Sequence, residues 1–399
     1  MDNKKNGIPK LRFPGFTGAW EQRKLGEVGK TFTGLSGKTK EDFGHGDAHF
    51  VTYMNVYSNP ISDPNMVENV EIDTKQQEVK KGDVFFTTSS ETPEEVGMSS
   101  VWLSDAPHIY LNSFCFGFRP TVNIFHPYYL AYLLRSNNIR NKMMILAQGI
   151  SRYNISKNKV MKLNVTIPNI REQQKIGEFF KQLDFLITLH QRKLEHLQEQ
   201  KKGLLQKMFP KNGEIVPEVR FPGFTDAWEQ RKLGEVVNFL DTLRKPLEGA
   251  KRVKGPYPYY GASGIVDYVD GYLFDEELIL LSEDGANITE RNYPVCFLAS
   301  GKYWVNNHAH VLKIKEDNDN NFICNSLERK DYTKYNTGMA MPKLNKETCK
   351  GIPIMCPNYD EQKKIGNYFR KFDTLIALHQ RKLDHLELMK KGLLQQMFV

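Results

Sequence analysis

The sequence predicts an α+β fold: two mixed α/β domains separated by an antiparallel coiled coil of two long helices, with an internal pseudo-two-fold repeat. Two observations predict it. The segment LRFPGFTGAWEQRKLGEV at residues 11–28 recurs at 219–236 with 16 of 18 positions identical, and we call these segments the opening blocks. Residues 168–209 recur at 357–398 with 27 of 42 positions identical, and we call these the closing blocks. A repeat at a fixed offset indicates architecture before any local pattern does.

Between the blocks lie two inserts, residues 29–148 and 237–337, which show no comparable likeness. Two nearly identical frames around unlike inserts are typical of a symmetric scaffold that presents two different binding domains. Runs of β-branched and aromatic residues predict strands at 50–57, 83–88, 109–118, 277–282 and 310–315. Helical periodicity predicts helices at 126–147 and 321–332, so each insert is expected to be mixed α and β.

Each closing block is predicted to be one long helix, because its apolar residues recur in alternating steps of four and three. Residues 171–208 would form a rod of about 57 Å. The apolar stripe of such a rod must be covered, so we expect the two copies to pack together. The predicted seam residues are Ile176, Phe180, Leu183, Ile187, His190, Leu194, Leu197, Ile365, Phe369, Phe372, Ile376, His379, Leu383 and Leu386.

The seam is interrupted by polar residues at the same places in both copies, His190 with His379 and Lys201 with Lys390. They either select the register or extend to solvent at the seam edge, and the sequence leaves both open. The link 210–218 spans at most about 32 Å, too little to return along a 57 Å helix. Antiparallel packing is therefore favoured.

The composition is that of a folded protein whose charge permits a polyanionic partner. The 399 residues correspond to two or three domains, and 55 Lys and Arg against 47 Asp and Glu leave a net charge of +8. The five cysteines include no CxxC pair, which argues against a disulfide framework or a zinc ribbon. No apolar run is long enough to span a bilayer, and no secretory leader is seen, so a cytoplasmic protein is expected.

Basic residues are concentrated in two places. Between Arg135 and Lys162 there are seven basic residues and no acidic one. The stretch 244–254 carries five basic residues and is followed by the tyrosine-rich segment GPYPYYG. Phosphate contacts need Lys and Arg, whereas base reading needs planar or forked side chains. The alternative for either patch is a solvated face with local packing of the tyrosines.

Three motifs that suggest catalysis are incomplete. GLSGKT at 34–39 ends like a phosphate-binding loop, but Phe32 occupies the position of its first glycine. Asp63, Asp73 and Lys75 loosely resemble a nuclease core, although an acidic surface loop explains them better. His308 and His310 alternate along a predicted strand without a third metal ligand nearby. The sequence therefore predicts a binding protein.

The whole pattern resembles the specificity subunit of type I restriction-modification systems. The resemblance rests on two copies of RFPGFT.AWEQRKLGEV, and on PN..EQ.KIG..F followed by HQRKL.HL....KKGLLQ.MF in each closing block. Residues 79–97 and 257–285 also resemble stretches of that family's target recognition domains. The resemblance implies two such domains held apart by antiparallel helices. The predicted boundaries are 1–165 and 219–354 for these domains, 166–209 and 355–399 for the helices, and 210–218 for the linker.

The resemblance also implies a division of labour. This chain would read a bipartite asymmetric site in double-stranded DNA and would join two modification (methyltransferase) subunits and the restriction subunits, without contacting a membrane. No cofactor is expected in this chain, since S-adenosylmethionine, ATP and Mg²⁺ would bind the partner subunits. No catalytic or metal residue is expected either. The alternatives are a coiled-coil adaptor without sequence-specific DNA binding, and a self-sufficient nuclease.

The residues predicted to bind DNA are Lys38, Lys40, Arg135, Arg140, Arg152, Tyr153, Lys157, Arg244, Lys245, Lys251, Arg252, Lys254, Tyr257, Tyr259, Tyr260, Asn306, Asn307 and His308. One departure from the repeat concerns the loops GISRYNIS at 149–156 and GMAMPKLN at 338–345, which share only their glycines. The sequence leaves open whether both loops approach DNA or whether Gly149 and Gly338 serve only a backbone turn.

Overall fold

The structure, a computed structural model, describes residues 7–211 and 213–399. Residues 1–6 of the predicted first domain and Asn212 of the predicted linker lie outside the described residues. The chain divides into two units. The described part of the first unit is residues 7–190 and 382–399, and the second unit is residues 191–381 without Asn212.

The first unit contains a four-stranded antiparallel sheet in the order β2-β9-β5-β7, a three-stranded sheet β4-β3-β8 and two strand pairs. Its elements are β1 (Glu21–Lys24), α1 (Leu25–Val28), β2 (Gly29–Thr33), β3 (Phe43–Val51), α2 (Tyr53–Ser58), β4 (Val67–Val70), β5 (Val84–Thr87), β6 (Ser89–Ser90), β7 (Ser99–Val101), β8 (Ile109–Leu111), β9 (Cys115–Pro120), α3 (Pro127–Leu134), α4 (Asn137–Leu146), β10 (Tyr153–Asn154), α5 (Lys157–Val160), β11 (Asn164–Ile167) and the start of α6 (Ile170–Lys207).

The second unit contains two four-stranded sheets, β13-β20-β17-β18 and β15-β14-β19-β16, and one strand pair. Its elements are β12 (Glu229–Lys232), α7 (Leu233–Val236), β13 (Val237–Phe239), β14 (Lys254–Gly261), β15 (Gly264–Val269), β16 (Phe274–Asp275), β17 (Leu278–Ser282), α8 (Asn287–Glu290), β18 (Cys296–Ala299), β19 (Lys302–Val305), β20 (Ala309–Ile314), α9 (Asn320–Glu328), α10 (Lys346–Lys350), β21 (Pro353–Cys356) and the start of α11 (Tyr359–Gln396).

Each opening block pairs with the strand that precedes its closing block. In the first unit β1 and β11 form an antiparallel pair with Glu21 opposite Ile167. In the second unit β12 and β21 form the matching pair with Glu229 opposite Cys356. The backbone therefore brings both ends of each insert together, and the insert is closed by residues outside it.

A buried ion pair reinforces this closure in both units. Arg12 donates two hydrogen bonds to the Glu172 carboxylate at 2.6 and 2.8 Å, and Arg220 donates two to Glu361 at 2.7 Å each. Both carboxylates are fully buried at the start of a long helix. Two-pronged guanidinium–carboxylate bonds fix geometry as well as charge, so they hold each opening block against its helix.

The long helices α6 and α11 are 38 residues each, about 57 Å at 1.5 Å per residue. None of the helices among the described residues is long and apolar enough to cross a membrane. In the first unit Phe180 of α6 packs near Phe398, just beyond α11, with ring centroids 5.7 Å apart. In the second unit Phe209, just beyond α6, packs near Phe369 of α11 at 6.2 Å.

Repeated ion pairs fix the antiparallel direction of these helices. Lys390 pairs with Asp184 at 2.5 Å in the first unit, and Lys201 pairs with Asp373 at 2.6 Å in the second. In the first unit Phe180 faces Phe398 and Asp184 faces Lys390, so the residue numbers rise along one helix as they fall along the other. The pairs Phe209 with Phe369 and Lys201 with Asp373 show the same antiparallel order in the second unit. The two lysines that interrupt the predicted seam therefore each neutralise a carboxylate on the facing helix.

The predicted seam residues are buried or partly buried along both helices. The fully buried ones include Phe180 and Phe369, while His190 and His379 are partly buried. All five cysteines are buried and none forms a disulfide.

Three local predictions need correction. The segment 50–57 is a strand only to Val51, because the Thr52 hydroxyl accepts the Asn55 N–H and caps helix α2. The segment 109–118 is two strands, since a turn at Asn112 separates β8 from β9. The segment 126–147 is two helices, because the chain leaves helical geometry at Arg135 before α4 begins. The strands expected at 83–88, 277–282 and 310–315 are confirmed to within one or two residues.

Removing one partner of the buried ion pair tests its role in the second unit. Glu361→Ala should lower the free energy of unfolding by about 3 kcal/mol, because it leaves the largely buried Arg220 guanidinium without a carboxylate and with only the Asp226 carbonyl as a partner. Chemical denaturation followed by tryptophan fluorescence measures this. Asp360→Ala is the matched control on the same helical turn, since Asp360 is exposed. Equal midpoints for the two variants would contradict the assigned role.

Candidate nucleic-acid interface

The first unit leaves three of its predicted cationic residues available to a ligand. Lys40, Arg152 and Lys157 are exposed. Arg152 makes one long hydrogen bond, at 3.3 Å to the Ser89 hydroxyl. None of these three side chains forms an ion pair with another described residue. They lie at the surface, where phosphate contacts are made, and Tyr153, which follows Arg152 in the chain, is partly buried in β10.

Two other predicted cations, Arg135 and Arg140, are hydrogen-bonded to backbone carbonyls inside the first unit. The Arg135 guanidinium donates to the carbonyls of Ser99, Val56 and Tyr57 at 2.6 to 2.9 Å. Burial lowers the pKa of Arg135 to about 9. A guanidinium satisfied by carbonyls positions the backbone, so its role here is structural.

Arg140 is used in the same way. It donates to the carbonyls of Gly97, Glu94 and Val96 at 2.6 to 2.7 Å, and burial lowers its pKa to about 10. Arg135 and Arg140 together hold the backbone around β7 against α3 and α4. Neither guanidinium is therefore available to a phosphate.

Lys38 is also unavailable to a ligand, because it forms ion pairs with carboxylates. It pairs with Asp73 at 3.1 Å and its side chain is 11% exposed. Hydrogen bonds from the Lys75 backbone, Gln76 and Lys38 hold the pKa of Asp73 at about 2. Asp63 meanwhile accepts from the backbone of Asn65. The acidic residues weighed as a nuclease core thus have local structural partners.

In the second unit three predicted cations are paired with carboxylates. Arg244 bonds the Ala309 carbonyl at 2.7 Å and Glu283 at 2.6 Å. Lys251 pairs with Glu248 at 2.7 Å, where both side chains are 74% exposed. Arg252 pairs with Asp267 at 3.3 Å and lies over the Tyr259 ring at 4.6 Å. Only the solvated Lys251 pair would open at little cost.

The predicted tyrosines mostly belong to the core of the second insert. Tyr259 is buried, and its hydroxyl accepts the Leu247 N–H at 2.9 Å. Tyr260 packs on Tyr303 at 5.6 Å, and burial raises its pKa. Tyr257 is partly buried beside Tyr272, with ring centroids 5.3 Å apart.

The remaining predicted residues of the second unit are divided between surface and interior. Lys245, Lys254 and Asn307 are exposed, and their side chains form no hydrogen bond or ion pair within the described part of the chain. Asn306 is 7% exposed, and its side-chain oxygen accepts the His308 N–H. His308 itself bonds Asp284 at 2.8 Å and remains half exposed.

A buried polar network lies beneath these surface residues. His310 is 1% exposed, and its two ring nitrogens lie 2.9 Å from Asp241 and 2.8 Å from the Leu344 carbonyl. Burial alone would raise the pKa of Asp241, but the His310 hydrogen bond and the nearby charges of His310 and Arg244 lower it. Both ring nitrogens lie within hydrogen-bond distance of oxygen atoms in the interior, so His310 has a structural role.

Sequence reasoning missed one cavity in the first unit. It measures about 530 Å³ and is bounded by Tyr53, Tyr57, Glu95 and Arg152 together with neighbouring serines. The two tyrosine rings stack at 6.1 Å, and the Tyr57 hydroxyl donates to Glu95 at 2.7 Å. The only signal was the four-residue spacing of the tyrosines, which the predicted strand concealed. Stacking rings with hydrogen-bonding edges suit a planar polar ligand.

Fold and surface charge together define a class: a two-domain recognition protein built by internal duplication, with free cations on each domain. The sequence matches the family described as the type I restriction modification DNA specificity domain over residues 18–199 and 225–388. The chain therefore belongs to this family and is a specificity subunit of the type I restriction-modification class, as the repeats predicted. DNA binding follows from membership of this family.

Individual relatives agree with this assignment. A protein of Haemophilus influenzae described as a type I restriction enzyme specificity subunit is 37% identical over 168 residues, which is 42% of each chain. The protein of Methanocaldococcus jannaschii described as the MjaX specificity subunit is 24% identical over 94% of this chain and 92% of its own length. The crystal structure of the S subunit from M. genitalium has the same fold, with a TM-score of 0.70 at 15% identity, over 98% of this chain and 99% of that one. The predicted fold class is confirmed.

Free and paired cations should behave differently toward DNA. Lys245→Ala and Lys254→Ala should weaken binding on all sequences and each lower the salt slope of log K by about 0.9, because each removes one phosphate contact. Equilibrium binding of the assembled complex across salt concentrations measures this. Lys313→Ala is the matched control, since Lys313 already pairs with Glu276 at 2.8 Å. An unchanged slope in all three variants would contradict the interface.

Proposed function

We propose that this chain is the non-catalytic DNA-reading subunit of its complex, in which each insert reads one half of a bipartite asymmetric DNA site. The observation that carries the proposal is the presence of two unlike inserts on nearly identical frames, within the family to which the chain belongs. Identical frames would present their inserts alike, and unlike inserts would select unlike bases.

The surface charges support DNA as the ligand. Exposed cations of the two predicted recognition domains, such as Lys157 just after the first insert and Lys254 within the second, supply the sequence-independent attraction to phosphates. The tyrosine-lined cavity beside Arg152 and the exposed amide of Asn307 offer groups that hydrogen-bond base edges. These residues replace the wider set predicted from sequence.

The long helices support a second role, in which the chain scaffolds its partner subunits. Leu186 and Leu189 of α6 are 42% and 49% exposed, and the equivalent Leu375 and Leu378 of α11 are 43% and 38% exposed. Exposed apolar residues at helical spacing suit helix packing by a partner. Because this patch occurs twice at equivalent positions, we propose that two modification subunits bind, one to each patch.

The remaining chemistry is assigned to the partners. We propose that S-adenosylmethionine, ATP and Mg²⁺ bind the modification and restriction subunits, and that this chain binds none of them. A cytoplasmic location suits its five free, buried cysteines.

The two alternative functions are a protein adaptor and a nuclease. Equilibrium binding to duplex DNA separates the adaptor from a DNA reader. A protein adaptor would lack competitor-resistant duplex binding, whereas a DNA reader in its complex shows a specific affinity that depends steeply on salt. A second measurement tests for a nuclease, which would cleave DNA in the presence of Mg²⁺ without any partner subunit.

The inserts should be exchangeable. Replacing residues 29–148 with the insert of another family member should change one half of the methylated site and leave the other half intact, because each insert is closed by its own frame. Methylome sequencing of a host that expresses the complex before and after the exchange maps both halves. If both halves change together, the inserts are not independent readers.

The exposed leucines should be needed for assembly. Leu186→Ser with Leu189→Ser should reduce the modification subunits bound per chain from about two to one, because the equivalent patch at Leu375 and Leu378 remains. Native mass spectrometry of the co-expressed complex counts the subunits. Val122→Ser, at a side chain 41% exposed in the first insert, is the control. Full assembly of the double variant would exclude this patch as the docking site.

A further inference from the structure

The two glycine loops carry the two most exposed large apolar side chains among the described residues. Ile150, directly after Gly149, is 94% exposed, and Met339, directly after Gly338, is 106% exposed on the same relative scale. The two glycines are equivalent by the offset of 189 that relates the closing blocks. The loops otherwise share no residue, so a common exposed apolar position is a property of their structure.

Both loops are closed by a backbone hydrogen bond at equivalent positions, although Gly149 alone has a positive φ and the second loop is also held by the Asn336 side chain. Gln148 and Asn154 exchange backbone hydrogen bonds at 2.9 and 2.8 Å, and the equivalent Thr337 donates to the Lys343 carbonyl at 2.8 Å. Each loop is therefore a hairpin tip closed at the same place. We call residues 148–154 and 337–343 the hairpin tips.

The glycines are required by these turns. A Cβ at Gly149 would lie 2.0 Å from the carbonyl oxygen of Arg152, and a Cβ at Gly338 would lie 1.8 Å from that of Met341. Any other residue would have to open the turn. The close approach fixes the turn from which the next residue, Ile150 or Met339, projects into solvent. Both glycines thus serve the turn, and the turn in both cases displays an apolar side chain.

The chain segments that carry the tips are basic, although carboxylates also lie nearby, Glu91 and Glu95 at the cavity that Arg152 bounds and Glu283 paired with Lys343 at 3.4 Å. Residues 142–162 contain five basic residues and no acidic one, and residues 332–346 contain three lysines and no acidic one. Lys157 beside the first tip and Lys334 before the second are exposed. An apolar apex in a basic surrounding complements duplex DNA, whose stacked bases are apolar and whose rim carries phosphates.

We propose that each hairpin tip inserts its apolar side chain, Ile150 or Met339, between adjacent base pairs of its half-site and unstacks that step. This inference rests on the proposed DNA-reading function and assigns the part that each tip plays in it. Apolar wedges of this kind kink the duplex by roughly 20 to 90°. The kink makes binding sensitive to the deformability of the step as well as to its base edges.

The test uses the full chain assembled with its modification subunits and a duplex of about 30 base pairs that carries the mapped site, with a fluorophore at each end. The wild-type complex should change the energy transfer between the duplex ends. Ile150→Ala and Met339→Ala should each weaken binding roughly 15- to 60-fold, the order expected for losing two or three buried methyl or methylene groups. The doubly substituted complex should lose the change in energy transfer. The salt slope should not change, because no phosphate contact is lost.

Three comparisons make the result specific. Ile72→Ala removes an exposed isoleucine of the same unit, 47% exposed, and should bind like wild type. Lys157→Ala should lower the salt slope by about 0.9 without abolishing the bend. A duplex already unstacked by a mismatch at the wedge step should restore most of the affinity that Ile150→Ala loses, because the cost of unstacking is then absent.

The outcomes separate this inference from the function on which it rests. If the wild-type complex shows no competitor-resistant binding to the mapped site, the DNA-reading function fails, and the wedge fails with it. If the wild type binds specifically and the alanine variants bind and bend DNA equally well, the wedge alone is excluded. Loss of subunit assembly by Ile150→Ala or Met339→Ala, with DNA bending unchanged, would make the tips protein contacts and would also overturn it.

Discussion

The bidentate bond between an arginine of each opening block and a buried glutamate of each closing block is the constraint on which the rest of the structure depends. Arg12 with Glu172, and Arg220 with Glu361, join segments 160 and 141 residues apart in sequence. A buried carboxylate must be paired or it destabilises the fold. Because every residue of this bond belongs to a repeated block, each frame closes without help from its insert. The insert sequence is therefore free to change.

The contacts between frame and insert differ where the inserts differ. Tyr129 and Phe322 each pack against the tryptophan of an opening block, at 6.1 and 5.5 Å. One turn further along each helix, Tyr132 donates to Asp184 at 2.8 Å, whereas Asn325 donates back to its own helix. The smaller amide lines a cavity of about 1060 Å³ in the second unit. One aromatic contact is thus kept, and the next is free to vary.

The sequence indicated the architecture because repeats and helical periodicity are properties of the chain alone. Two 38-residue helices and their antiparallel direction follow from apolar spacing and from the reach of a short link. The site was harder to predict, because a charged residue in a sequence can either face solvent or be hydrogen-bonded inside the fold. Arg135 and Arg140 belong to a basic stretch of sequence, yet both donate hydrogen bonds to backbone carbonyls that are distant in sequence. Only the fold distinguishes them from Lys157, which remains exposed.

The two glycine loops form similar turns although their sequences share only the glycine. The first tip is closed by a glycine and a pair of main-chain hydrogen bonds, whereas the second adds the Asn336 side chain, which accepts the N–H groups of Gly338 and Lys343. The other tip positions can therefore change without altering the turn. Exposing isoleucine or methionine to water brings no folding stability, since neither side chain buries apolar area. Their display at equivalent positions is best explained by a ligand that covers them, and the surrounding positive charge selects an anionic one.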